Sequence, residues 1–463
     1  MTYPLRFAGR LGAWLLVATV CAPLAGAAEP SPGILGKDGW LFYRYEFSDS
    51  VDLPATTASI DLIQRFNQVL ARNGISMAVM MVPIKARIYA EHLPAGAELN
   101  RYMTDNYARM AKLLRAGQVS VVDINGPFLG SRERSGESPL YIRLDTHWSP
   151  TGAMLAAETV RAEIDADPAL KNVLQVIPEE KFNLVADRRK LNTKARDLVE
   201  QLPKGSPVPE MEQLQQYSVT KGPADSVSLL GDEREPAVTL LGSSYSNAWT
   251  RFPEALRFTL QRDLLAISVG ADQGSWVGME SYLRDDAFQG QKPKLLIWEM
   301  PERDMRAPPD YKYRDVRYQS GNTEWLLRAA AWVQGSCSPS TLTATVAAGG
   351  LAAGASKDVV SGATTERDYI DLNFDRPFEK LDYLVANIAT SGSKTLVLEA
   401  SGVDTEARKF TVPVYGDGSA HWLKMPLVSA GKGFTRLRIF PGKSSAFEFK
   451  DLTVCRQPDD LLK

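Results

Sequence analysis

Cysteine and histidine are scarce in this chain, with three of each among 463 residues. A protein zinc site wants several Cys or His ligands close together, and His92, His147 and His421 are spread too thinly to suggest one. A long apolar run is also missing. Only Leu11 to Val20 is strongly apolar, and it is too short to cross a bilayer. Charge of either sign is not in excess. The formal net charge of −2 gives no basic footprint for a nucleic-acid partner. An acidic ligand would need a local basic patch acting against the overall sign.

What is present begins with an export signature. Arg6 and Arg10 flank the start of the apolar stretch, and Ala25-Gly26-Ala27 offers a small-residue cleavage site. Residues 1–27 therefore read as a signal peptide, with Ala28 first in the mature chain and the periplasm as its destination. An uncleaved anchor is the alternative; a lipoprotein fits less well, because Val20 precedes Cys21. Cys21 leaves with the signal. Cys337 and Cys455 remain as an even pair in an oxidising compartment, which predicts one disulfide closing a long loop. Two buried free thiols are the other reading.

From about residue 37 to 335 the pattern alternates helix and strand. Asp38 to Tyr43 reads as a short strand with an aromatic plug. Ile60, Ile63, Phe66 and Leu70 fall at helical spacing, with Gly74 as the stop. Met77 to Val82 is a continuous apolar run, the mark of a strand buried on both faces. Tyr107 to Leu114 predicts a second helix, and Val119 to Ile124, Ala237 to Leu241 and Leu295 to Glu299 predict further strands. Ser149-Pro150 starts a helix, with serine as N-cap and proline at the first position. The expectation is an α/β fold with a mostly parallel sheet. Residues 176–236 are polar and irregular and read as an insertion or lid. After residue 336, short strands separated by Gly and Pro predict a β-sandwich, and Ala347 to Ala355 reads as a loop.

Two segments carry chemistry. Asp145-Thr146-His147 places an acid and a histidine two residues apart, side by side if the backbone is extended. The carboxylate would fix the imidazole tautomer and leave the other nitrogen free as a base. Gly242-Ser243-Ser244 follows an apolar strand, so Ser244 could serve as nucleophile and its own N–H could join an oxyanion hole. Ser243 and Ser246 are rivals, and a serine N-cap without chemistry is the plain alternative. Gly270, after the next apolar run, could supply a second N–H.

In this order these segments resemble the AlgX/AlgJ group of bacterial alginate O-acetyltransferases. The stretches that carry the resemblance are Asp38 to Phe42, Asp145 to Gly152, Leu240 to Asn247 and Leu295 to Glu299. It implies an SGNH-hydrolase-like three-layer α/β/α catalytic domain over 28–336 and a C-terminal β-sandwich carbohydrate-binding module over 337–463, as in the AlgX-like branch. It also implies Ser244 as nucleophile, His147 as base and Asp145 as the orienting acid. The expected reaction moves an acetyl group onto an exopolysaccharide hydroxyl without a cofactor. A membrane-bound acetyl-donor acyltransferase and polysaccharide export proteins are the implied partners. No extra cysteine pair lies inside the first domain, a departure that leaves acetylated cellulose as a second polymer. An acetylesterase and a non-catalytic polysaccharide-binding scaffold are the rival functions.

Candidate sugar contacts are Tyr311, Tyr313, Arg314 and Arg317, where aromatic and basic residues interleave. Rings stack on sugar faces and arginines pair with carboxylates. In the second part, Arg436 and Arg438 alternate with Leu437 and Ile439 and are expected to face outward. Trp422, beside His421, reads as a stacking platform or a core residue.

Overall fold

The computed structural model describes residues 31–47, 53–192, 196–222, 235–351, 359–361, 363–402, 405–431 and 433–462. The expected signal peptide lies outside the described residues.

The apolar run Ser76–Val82 forms the second strand of a five-stranded parallel sheet, next to the central Leu295–Pro301. The strand order is Ser120–Val122, Ser76–Val82, Leu295–Pro301, Val238–Gly242 and Leu265–Ser268. Side chains alternate across a strand, so the run divides its residues between two cores. Met77, Val79 and Met81 pack with helices Leu53–Arg72 and Asn322–Val333, whereas Ala78, Met80 and Val82 pack with helices Pro150–Ala166 and Phe252–Leu260. A sheet covered on both faces leaves no polar position in such a strand, which is why the run is continuous. Ser149 caps its helix as expected, accepting from the Gly152 N–H at 3.2 Å.

The stretch 176–236, expected to be irregular, carries regular structure among its described residues. Phe182–Asn192 and Gln213–Lys221 pair as an antiparallel ribbon, with a short helix Asp197–Glu200 between them. The ribbon packs on the core through Tyr217 and Val219, which alternate onto one face, and most of its other positions stay exposed or half-buried, so its composition stays polar. The short helix buries Leu198 against Leu41 and Leu144.

The C-terminal part is built from two antiparallel sheets. One orders Ala344–Gly349, Tyr369–Phe374, Arg436–Phe440, Thr395–Gly402 and Thr405–Pro413; the other orders Val359–Ser361, Phe447–Arg456, Asp382–Ser391 and Asp417–Pro426. Ala347–Gly349 belongs to a strand, contrary to the loop expected there. Glycine fits because a Cβ on Gly349 would lie 2.2 Å from the Tyr369 ring. Residues 352–355 of that expected loop lie outside the described residues. Helix Asn322–Val333 docks on Asp417–Pro426, and Lys424 Nζ donates to the carbonyl of Gln334 at 2.7 Å beyond the helix end.

Cys337 and Cys455 are joined, with Cα atoms 5.3 Å apart and 118 residues between them in sequence. The bridge ties the segment entering the antiparallel sheets to their last strand. Removing it in a Cys337→Ala/Cys455→Ala variant is expected to cost about 3–4 kcal/mol, mostly by freeing the unfolded chain. Urea unfolding of both proteins checks this, and an unchanged midpoint would refute it.

Candidate active site

Strand Val238–Gly242 ends at Gly242, and the chain turns at once into Ser244–Ser246. A Cβ on Gly242 would lie 2.0 Å from Ser246 Oγ and 2.4 Å from Glu299 Oε2, so only glycine permits this turn. The three serines then separate by environment. Ser243 Oγ donates to Glu299 Oε1 at 2.9 Å and accepts from the Tyr245 N–H, which makes it the cap of the turn. Ser246 Oγ donates to Glu299 Oε2 at 2.8 Å. Ser244 alone meets the histidine, with its Oγ 2.7 Å from His147 Nε2.

His147 Nδ1 lies 2.5 Å from Asp145 Oδ1. The two residues do not meet on an extended strand, as the sequence spacing suggested. The segment is a turn in which Asp145 Oδ1 also accepts from the His147 backbone N–H at 3.0 Å. An aspartate bonding the backbone two residues on is a common turn device, and here it fixes the imidazole beside its own carboxylate. Burial pushes Asp145 upward, but its bonds from His147 and from the Asp197 N–H outweigh burial and hold it below the usual carboxylate range.

The turn is pinned from below. Lys85, fully buried, donates to the carbonyls of Ile142, Arg143 and Asp145 at 2.7, 2.9 and 2.9 Å. Burial lowers its pKa to about 8. Asp197, from the ribbon's short helix, accepts from the Thr146 N–H and hydroxyl at 2.8 and 2.6 Å, and Tyr245 donates its hydroxyl to the Thr146 carbonyl at 2.6 Å. Asp145, His147 and Asp197 bring potential ligand atoms within 4.8 Å of one another. Their carboxylates are nevertheless committed to N–H and O–H donors, and His147 Nε2 to Ser244, an arrangement that suits proton transfer.

Glu299 is the functional residue most easily missed. It ends an apolar stretch, is completely buried, and accepts from the Ser243 N–H at 2.7 Å as well as from both flanking hydroxyls. Burial pushes its pKa up to about 7. The sequence signal was an acid inside a buried apolar strand, which is costly unless donors surround it. Lys85 and Asp197 gave no comparable signal, since their partners are groups distant in sequence.

Ser244 and His147 open on a cavity of about 800 Å³ lined also by Gly270, Tyr43, Tyr45, Arg303, Tyr311 and Tyr313. Arg303 sits with its guanidinium carbon 5.5 Å from the Tyr43 ring and 5.9 Å from the Tyr245 ring. The other expected sugar contacts divide. Arg314 does not reach the cavity wall; its guanidinium is turned to the carbonyls of Ala307 and Gln273, which it staples together. Arg317 pairs with Asp315 at 2.7 Å and lines a separate cleft beside the antiparallel sheets. Arg436 and Arg438 leave Leu437 and Ile439 in the core, as expected. Both arginines also bond Asp371 on the neighbouring strand, with Arg438 Nε at 2.9 Å, so one carboxylate offsets part of their charge. Trp422 is exposed on its strand and is not a core residue.

Comparison with known proteins follows this geometry. Residues 34–302 match the family model of the SGNH hydrolase-like domain of the acetyltransferase AlgX. The chain is 31% identical over 303 residues to the probable alginate O-acetylase AlgJ of Pseudomonas aeruginosa, covering 62% of this chain and 74% of that relative. The solved O-acetyltransferase domain of Pseudomonas putida AlgJ superposes with a TM-score of 0.52 at 26% identity, over 62% of this chain and 97% of its own. Pseudomonas aeruginosa AlgX superposes with a TM-score of 0.62 at 18% identity, over 92% of this chain and 95% of its own. That last likeness concerns the fold alone, but it extends over both the parallel sheet and the antiparallel sheets.

Proposed function

The chain belongs to the family of SGNH hydrolase-like, AlgX-type acetyltransferase domains, and from that premise we propose that it is an exported O-acetyltransferase acting on an alginate-like exopolysaccharide. The observation that carries this reading is the aligned series Asp145, His147, Ser244, with contacts of 2.5 and 2.7 Å, opening on a cavity of sugar size. In the first half-reaction His147 Nε2 takes the Ser244 hydroxyl proton while Oγ attacks the carbonyl of an acetyl donor. The tetrahedral oxyanion is held by backbone N–H groups, those of Ser244 and Gly270 being our assignment. The donor's leaving group departs with the proton from His147. In the second half-reaction a sugar hydroxyl attacks the acetyl-serine and gives its proton to His147, which returns it to Ser244 Oγ. Asp145 orients the ring and stabilises the imidazolium throughout.

The working division is a catalytic part over 28–336 and a carbohydrate-binding module over 337–463, with residues 1–27 as the export signal. The exposed Trp422 supports a binding role for the second part. Among the described residues no helix is long and apolar enough to cross a membrane. The reading assigns donor supply to a membrane-bound acyltransferase and acceptor supply to the polysaccharide export machinery.

The test uses purified mature protein, a chromogenic acetyl ester and defined oligosaccharides of mannuronate and of glucose, with mass spectrometry to follow the acetyl group. Acetylated mannuronate oligomers are the expected product. Acetylated gluco-oligomers would move the polymer to cellulose, and ester cleavage without any sugar product would replace the transferase by an esterase.

A further inference from the structure

Trp249 lies five residues beyond Ser244 on a turn held by three side-chain hydrogen bonds. Asn247 Oδ1 accepts from its backbone N–H at 3.3 Å, and the buried Thr250 donates its hydroxyl to the carbonyls of Tyr245 and Asn247, both at 2.8 Å. Arg251 then adopts a left-handed backbone with φ of 67°, strained for a residue with a Cβ. This rigid mount nonetheless presents the indole to water, 39% exposed. Such a display gains the folded chain little, since a large apolar ring contributes most when buried.

The position of the ring supplies the reason. Its centroid is 4.9 Å from that of the His147 imidazole, inclined at 74°. The other ring against the imidazole, Tyr245 at 4.8 Å, is buried. Of these two, Trp249 alone leads from the base to solvent. Two further exposed aromatics, Tyr45 and Tyr313, line the cavity that opens on the same histidine. Exposed aromatic side chains thus stand on the wall of the cavity and, at Trp249, beside the base just outside that wall, and an aromatic face is the surface on which the C–H face of a pyranose ring packs.

Building on the transferase reading, we infer that Trp249 is the platform for the acceptor sugar, seating one pyranose unit face-on so that its hydroxyl reaches His147 Nε2. The hydroxyl then attacks the acetyl-serine carbonyl. Its proton passes to His147, the Ser244 Oγ–acetyl bond breaks, Oγ recovers the proton, and the acetyl ester remains on the sugar. The platform settles whether sugar or water occupies the position next to the base, and so sets the balance between transfer and hydrolysis.

The test separates acceptor binding from chemistry. Calorimetric titration of mannuronate and glucose oligomers is made in the Ser244→Ala background, with and without Trp249→Ala or Trp249→Phe. Trp249→Ala is expected to weaken binding of the better oligomer about tenfold, the scale of a lost aromatic stacking contact, while Trp249→Phe recovers most of it. An unchanged Kd overturns the inference, and so does failure of both oligomers to bind. With Ser244 intact, a Trp249→Ala defect confined to the acetylation step would place the ring behind His147 as a support and also overturn it. Failure of the underlying reading shows differently: wild-type protein then carries no acetyl group on Ser244 after exposure to the ester, whatever Trp249 does to sugar affinity.

Discussion

Ser244→Ala is expected to abolish the acetyl-enzyme and lower ester turnover by about 10⁴- to 10⁶-fold, the scale seen when a triad nucleophile is removed. Asp145→Asn is expected to cost about 10⁴-fold, because the amide cannot hold the productive imidazole tautomer. The structure makes the first substitution clean. Ser243, not Ser244, caps the turn through the Tyr245 N–H, and Ser243 and Ser246 hold the bonds to Glu299. The bond of Ser244 in the site is the one to His147 Nε2. Its loss leaves the turn intact, so stability is expected to change by less than about 0.5 kcal/mol. Ser243→Ala reverses the pattern: it removes the cap at about 1 kcal/mol and leaves the nucleophile in place. Pre-steady-state release of the chromophore, read alongside thermal unfolding, checks both. A Ser244→Ala protein that still releases a burst of chromophore would move the nucleophile elsewhere.

The sequence made the parallel sheet legible because burial on both faces writes continuous apolar runs, and Met77 to Val82 and Leu295 to Trp298 are such runs. It pointed to His147, which the structure sets 2.7 Å from Ser244, because so few histidines compete. Strand Asp382–Ser391 escaped notice for the opposite reason. It lies at the centre of its sheet and packs on both sides, Tyr383 toward Ala331 of the helix and Leu384 into the core, so the alternation that betrays a half-buried strand is lost. The sequence did not announce the carboxylate beside Arg436 and Arg438. Asp371 is 65 residues from Arg436 and 67 from Arg438 in sequence, yet strand pairing sets it directly opposite Arg438. The ribbon misled by composition, since one face carried by Tyr217 and Val219 is all that it packs on the core. Through Asp197 it also supplies part of the support beneath Asp145, a long-range contact that no local pattern announces.

Glu299 should show how much of the site's precision is electrostatic. Glu299→Ala removes the acceptor for the Ser243 N–H and both flanking hydroxyls at once and leaves a hole beneath Gly242. The hydroxyls can find other partners, but the half-buried Ser243 N–H loses the acceptor that fixes the turn. A nucleophile displaced by about 1 Å loses about 10²-fold in rate, so a fall in kcat of about that size is expected. Glu299→Gln keeps an oxygen for the N–H and Ser246 and can donate to Ser243 Oγ, so it is expected to retain most of the activity. The two variants also differ in how stability follows pH. The folded pKa near 7 lies above the ordinary 4.5, raised first by burial and further by the buried Asp304. Between those values the folded chain holds a proton that the unfolded chain has released. Wild-type stability therefore falls as pH rises through this window, by roughly 3 kcal/mol for this group, with the full cost present above pH 7. Glu299→Gln has no such proton to lose, so the difference in Tm between pH 5 and pH 8 is expected to shrink relative to wild type. A difference of wild-type size in the glutamine variant would show that another group carries the pH dependence. Equal kcat in the alanine and glutamine variants would show that the carboxylate is not what holds the serine turn.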